Sequence, residues 1–144
     1  MADSLPTRIQ LEIATPERQV VRESVEAVTL PGKEGYLGVL PGHAPLLSEL
    51  QPGEIAYTTS SGARYLAVSW GFAEVLPERV IVLAETSELA EEVDVARAER
   101  AKERAEQRLK QLHEANVDFE RARGALAKSI ARLQVASHLA EGDK

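Results

Sequence analysis

The sequence predicts an α+β fold, an N-terminal antiparallel β-sandwich followed by a C-terminal antiparallel two-helix hairpin. Three observations carry this. Composition changes near Ser87: all seven prolines, the single Trp, all three Tyr and every glycine except Gly124 and Gly142 lie before it. Beyond it the chain is rich in Ala, Glu, Arg, Lys and Leu. Short segments with strand periodicity fill the first part, and apolar residues spaced for one helical face fill the second. The expected domains are 1–87, a sandwich that folds on its own, and 88–144, the hairpin.

The strands come first. In residues 8–14, Ile9, Leu11 and Ile13 alternate with Gln10 and Glu12, the pattern of a half-buried strand. Residues 25–30 form the next apolar run, stopped by Pro31 and Gly32. Runs 55–59 and 64–69 flank Ser60-Ser61-Gly62-Ala63, a hairpin-type connection. Runs 72–76 and 80–84 flank the short turn Pro77-Glu78-Arg79. The densest Gly and Pro cluster, 35–46, reads as consecutive tight turns. Strands at this spacing, with no helical pattern between them, build a sandwich or flattened barrel.

The helices follow. Across 93–112 a stripe runs through Ala98, Ala101, Ala105, Leu109 and Leu112, and across 118–139 another runs through Phe119, Ala122, Leu126, Ile130 and Leu133. Steps of three and four keep each stripe on one face. Between them Asn116 suits the left-handed end of a helix and Asp118 the cap of the next. The first stripe is mostly alanine, which lets backbones approach but buries little area. The hairpin is therefore expected to leave its sandwich at small cost.

Composition narrows the function. A net charge of −6 argues against general nucleic-acid binding, which needs a basic surface. No apolar run approaches the roughly 20 residues of a membrane span, and residues 1–6 lack the apolar core of a signal peptide. The chain has no cysteine, which excludes disulfides and thiolate metal sites and fits a cytosolic address. His43, His113 and His138 lie far apart, without metal-ligand spacing. No G-x-S-x-G elbow is present to pair with a histidine, and Gly32-Lys33-Glu34 is not a phosphate loop. A small hydrolase is poorly supported. A free-standing ATP-binding sensor module remains an alternative.

Three motifs, in order, carry a resemblance. The run Gly35-Tyr36-Leu37-Gly38-Val39-Leu40-Pro41-Gly42-His43-Ala44-Pro45-Leu46 resembles the G-x-L-G-x-L-P-G-H-x-P-L signature of the epsilon chains of bacterial F-type ATP synthase. Residues 67–75 resemble that family's A-V-S-G-G-F-x-E-V segment, with Trp70 in place of the first glycine. Residues 80–84 resemble its V-T-I-L-A strand. The similarity extends from about Ile9 to Leu139. It implies a sandwich followed by a helical hairpin, and a non-catalytic rotor subunit. The implied partners are the gamma subunit, the ring of c subunits, and the alpha and beta subunits of the catalytic head. The implied location is the cytoplasmic face of the bacterial membrane, reached only through the complex. Lys33, Glu34, Gly35 and His43 are the implied stalk and rotor contacts.

The first helix opens with Val93-Asp94-Val95-Ala96-Arg97-Ala98, which resembles the family's [Ile/Leu]-Asp-x-x-Arg-Ala nucleotide motif. A helix cap at Asp94 explains the same residue, and the two roles are compatible. Arg97, Arg100, Arg104 and Arg108 form one stripe, and Arg121, Lys128 and Arg132 another. Folding the hairpin about residues 116 and 117 is expected to bring Arg104 beside Lys128 and Arg132. Cations so gathered need an anion or an acidic partner; the plain alternative is a solvated charged face. The resemblance implies a nucleotide site of Glu88, Asp94, Arg97, Arg104, Lys128 and Arg132. ATP would be a regulatory ligand there, with no cofactor or metal required. Lys128 stands where the family's ATP binders have arginine and lacks its planar two-pronged contact. In an extended hairpin, Arg121, Arg123, Lys128 and Arg132 are the implied inhibitory contact with the beta subunit.

Overall fold

A computed structural model of the chain describes residues 5–111 and 118–142. Eight strands come first: β1 (Ile9–Ala14), β2 (Gln19–Val25), β3 (Ala27–Gly32), β4 (Gly35–Val39), β5 (Leu46–Leu50), β6 (Gly53–Thr59), β7 (Gly62–Leu76) and β8 (Arg79–Leu89). A single 3₁₀ turn, Ala90–Glu92, leads into α1 (Val95–Lys110) and then α2 (Phe119–Gly142). The turn expected around Asn116, and Leu112 at the end of the first stripe, lie outside the described residues.

The strands hydrogen-bond in the order β2-β1-β8-β7-β5-β3-β4, and β6 pairs with both β3 and β7. The ladders are antiparallel except one. β1 runs parallel to β8, with Leu11 opposite Val80, so the first strand lies beside the last. The run expected at 25–30 divides into β2 and β3, and the segments on either side of Trp70 are one strand. The Gly and Pro cluster is not all turn, because β4 lies within it. β8 continues through Glu88 and Leu89, beyond the boundary expected at Ser87, and Leu89 packs against the core.

The core is built wholly from strands. Ile9, Leu11, Ile13, Leu30, Ile55 and Leu66 are fully buried within it. Burying each such side chain contributes about 1.5–3 kcal/mol. Tyr57 joins the same core and donates its hydroxyl to Glu23 Oε2 at 3.1 Å. Burial, reinforced by the charge of Glu23, pushes the Tyr57 phenol up to about 12, so it remains a donor.

The helices bury much less. Ala98 and Ala105 of α1 are buried, as are Ala122, Ser129, Ala131 and Val135 of α2. Val135 joins Ala67 and Ala90 in a small satellite cluster, with Tyr65 packed against it. The second expected stripe is only partly right: Phe119 and Ile130 are exposed, while Ala131 and Val135 are buried. A single stripe describes a helix with one neighbour, and α2 packs on α1, β6 and β7.

One backbone feature organises β7. Leu66 and Val68 point into the core before it, Ala73 and Val75 after it, so the inward side changes from even to odd positions. Between them lie Trp70 at φ 49° and Gly71 at φ 140°. A Cβ on Gly71 would fall 2.1 Å from the Leu83 carbonyl oxygen. Only glycine meets both demands. Gly71→Ala is expected to destabilise the fold by roughly 2 kcal/mol or more, read as a lower urea midpoint at unchanged slope. A loss of less than about 0.5 kcal/mol, the scale of an ordinary surface substitution, would show that the approach relaxes freely.

Candidate functional site

The helices and the sandwich line an open cavity of about 470 Å³. Its floor is β7 and β8, through Ser69, Thr86, Ser87 and Glu88. The β1–β2 turn adds Thr15, Glu17 and Arg18, α1 adds Arg97, and α2 adds Lys128 and Arg132. Local rules place each group. Asp94 caps α1, its Oδ1 accepting the Arg97 N–H at 3.1 Å, which starts the helix three residues before Arg97. Asp118 caps the start of α2 as expected, accepting the Arg121 N–H at 3.1 Å.

Charge is partly paired inside. Arg132 Nε lies 2.7 Å from Glu88 Oε1, out of hydrogen-bond alignment, and its Nη2 donates to Oε2 at 3.2 Å. That pair joins α2 to β8 across a half-buried wall. Among the described residues Arg97 and Lys128 have no ion pair. Ser69 and Thr86 hydrogen-bond to one another through their hydroxyls. The Ser87 Oγ is fully buried and has no partner among the described residues. Two unpaired cations and an orphaned hydroxyl in one polar cavity suit an anionic, hydrogen-bonding ligand.

Of the six residues implied for a nucleotide, Glu88, Arg97, Lys128 and Arg132 line this cavity. Asp94 does not line it and is the cap of α1. Arg104 does not line it, which corrects the expected convergence with Lys128 and Arg132. It borders a second depression with Arg100, Glu103, Gln107 and Arg108. Seven residues separate Arg104 from Arg97, about 10 Å along the helix, so Arg97 occupies the position expected for it. Arg121 and Arg123 are exposed, whereas Lys128 and Arg132 are half-buried toward the cavity. The four cations therefore share no open face while the hairpin is folded.

The residues implied for stalk contact sit on the other flank. Lys33 and Glu34 form the β3–β4 turn and Gly35 opens β4; Lys33 Nζ pairs with Glu49 Oε2 at 3.0 Å. They line a groove with Leu46 and Leu47. His43 lies in the β4–β5 connection, its Nδ1 2.7 Å from the Ala44 carbonyl oxygen, and does not line that groove. Beside the groove is an apolar surface not singled out in the sequence: Leu47 is 69% exposed, Leu83 60% and Phe72 51%. Phe72 faces Leu83 across β7 and β8. The signal was the unbroken apolar run 80–84, on a strand where only alternate residues reach the core.

A β-sandwich followed by a helical pair, matched in tandem, defines the class. The model for the β-sandwich domain of ATP synthase delta/epsilon chains matches residues 8–90, and that for their long α-helix domain matches 91–137. The chain belongs to the delta/epsilon chain family of ATP synthase. Within it the similarity is to epsilon chains. The ATP synthase epsilon chain of Koribacter versatilis is 57% identical over 109 residues, covering 76% of this chain and 74% of that protein. ATP synthase epsilon chain 2 of Syntrophotalea carbinolica is 44% identical, covering 94% of this chain and 98% of that protein. A chain in the cryo-EM structure of Euglena gracilis mitochondrial ATP synthase, OSCP/F1/c-ring, superposes with a TM-score of 0.80 at 27% identity. It covers 94% of this chain and 85% of that one.

The cavity mouth is braced by Arg18 and Glu92. Arg18 Nη2 donates to both Glu92 carboxylate oxygens at 2.8 Å. The hydrogen bond from Arg18, then that from the Leu89 N–H, holds the Glu92 carboxyl below its usual range. A depressed carboxyl stabilises the fold above its unfolded pKa, and that support is lost as pH falls through the folded pKa. Glu92→Gln is expected to lower Tm by about 1–3 °C near neutral pH, with the difference closing in acid. Thermal melts across pH check this, and a difference independent of pH would refute it.

Proposed function

We propose that this chain is a non-catalytic central-stalk subunit of a proton-translocating F-type ATP synthase, docked by its sandwich and regulatory through its hairpin. The observation that carries the regulatory half is the cavity, whose walls come from the sandwich and from both helices. A ligand bridging those walls binds the folded hairpin and not a released one, so it favours the folded form by mass action. ATP is the proposed ligand. Arg97, Lys128 and Arg132 would take the phosphates through charge-assisted hydrogen bonds, and Glu88 and Asp94 would meet the base or ribose.

Docking is supported by the exposed face of Leu47, Phe72 and Leu83, an apolar surface of the kind that marks a protein interface. The gamma subunit and the ring of c subunits are the proposed partners there. Through them the chain sits at the cytoplasmic face of the bacterial membrane. When the hairpin is released, Arg121, Arg123, Lys128 and Arg132 would meet an acidic segment of the beta subunits and restrain ATP hydrolysis.

Two measurements test this. ATP titrated into the intact chain should give binding heat and a raised Tm, and Arg97→Ala or Lys128→Ala should weaken binding about ten- to a hundredfold. No heat and no thermal shift at millimolar ATP would remove the sensing role and leave Asp94 as a helix cap. In the reconstituted complex, replacing Arg121, Arg123, Lys128 and Arg132 by alanine should raise ATP hydrolysis. Replacing Arg121 and Arg123 alone should give part of the rise without touching the cavity, and added salt should mimic part of it. Unchanged hydrolysis, with the variant verified in the complex, would overturn the restraint.

A further inference from the structure

Two aromatic contacts hold α2 on the sandwich, besides the Arg132–Glu88 pair and the Val135 cluster. At the first, a Cβ built on Gly124 would lie 3.5 Å from Trp70 Cζ2. Gly124 sits inside α2, where glycine costs about 1 kcal/mol relative to alanine. Trp70 takes φ 49°, the one positive φ outside glycine among the described residues. Both residues bear a local cost, and the two costs meet in one contact. At the second point, the His138 ring stacks on Tyr65, with centroids 3.6 Å apart and planes 9° from parallel. His138 Nε2 also contacts Glu54 Oε1 at 2.5 Å, and Gln134 Nε2 reaches Glu54 Oε2 at 3.5 Å. Fourteen residues, about 21 Å of helix, separate the points. Between them lie the Arg132–Glu88 pair and a small apolar cluster of Ala67, Ala90 and Val135.

We propose that Trp70 is a clasp for α2: its indole lies over Gly124 and, with the Tyr65–His138 stack at the other end, sets how readily the hairpin leaves the sandwich. The clasp rests on the reading of the hairpin as an element that opens. It assigns Trp70 a task that glycine at this position lacks, because glycine presents no ring to the helix. It also accounts for the strained tryptophan, since the left-handed backbone that reverses β7 aims the ring at α2 rather than into the core. The surrounding alanines leave the aromatic contacts as a large share of the docking energy.

Hydrogen exchange on the intact chain tests it, comparing α2 peptides with β1 and β8 peptides. Trp70→Gly suits φ 49° without strain, so the sandwich should keep its protection while α2 exchanges roughly three- to tenfold faster. Two substitutions at Gly124 keep the indole and separate packing from helix propensity. Alanine fits at 3.5 Å and should slow α2 exchange. Leucine also favours helix but must displace the indole, so it should speed exchange and shift the emission of the single tryptophan to the red. His138→Ala should add to Trp70→Gly without coupling, as distant sites do. If α2 opens separately in the wild type but ignores both Trp70→Gly and Gly124→Leu, the clasp is overturned and the mobile hairpin stands. If wild-type α2 exchanges only together with the strands, the mobile hairpin fails and the clasp with it.

Discussion

The reversal of β7 at Trp70 and Gly71 is the constraint on which the rest depends. β7 pairs with β5, β6 and β8 and also carries α2. If its alternation continued unbroken from Leu66 and Val68, then Trp70, Phe72 and Glu74 would turn inward. Glu74 would bring a carboxylate into an aliphatic core, at a cost of several kcal/mol. Ala73 and Val75 would face water instead. The left-handed backbone at Trp70 and the missing Cβ at Gly71 avoid both outcomes. They also leave Phe72 on the surface beside Leu83, so one local device sets the core, the apolar outer face and the orientation of the indole.

The two parts of the chain are held by unlike forces. The sandwich buries Ile, Leu and Val side chains from all eight of its strands in one cluster. The hairpin buries alanines, one valine and one serine. The transfer free energy of a buried leucine exceeds that of an alanine by about 2 kcal/mol, so hairpin docking is a small fraction of the whole. Weakly docked elements open more readily than the core they lie on. The regulatory role proposed for the hairpin would need this property, and composition would supply it.

Much of this was legible in the sequence, for physical reasons that can be named. Ile9, Leu11 and Ile13 alternate because β1 has one wet face, and they were read correctly as core. Ala98 and Ala105 step by seven and share a buried face as read. β4 was hidden because its inward residues, Leu37 and Val39, are only two and sit among glycines and prolines that read as turns. The site was only half legible. Lys128 and Arg132 share the cavity as their stripe suggests, with Glu88 as the resemblance implied, but which arginine of α1 joins them depends on how the helices are set against one another. Spacing fixes a side chain's direction around a helix and leaves its height against a neighbour open. Trp70 posed the hardest problem, since a bulky residue at positive φ follows from tertiary context and not from propensity.

The Arg132–Glu88 pair joins these threads. It is the charged contact between α2 and β8, and its members are partly shielded from water. In water such a pair is worth little, because hydration replaces the attraction almost fully. Opening the hairpin therefore costs mainly the aromatic and alanine contacts, and the ion pair adds selectivity more than strength. A guanidinium has five N–H donors, and Glu88 engages only Nη2 in an aligned hydrogen bond. Nε is buried against Glu88, and the other terminal N–H groups are the ones that could meet an anion without releasing Glu88. An anion between Arg97, Lys128 and Arg132 would then add attraction across the hairpin and remove the repulsion between its cations. On the proposed reading, the folded hairpin assembles the site alone, and a bound anion would shift its population by mass action.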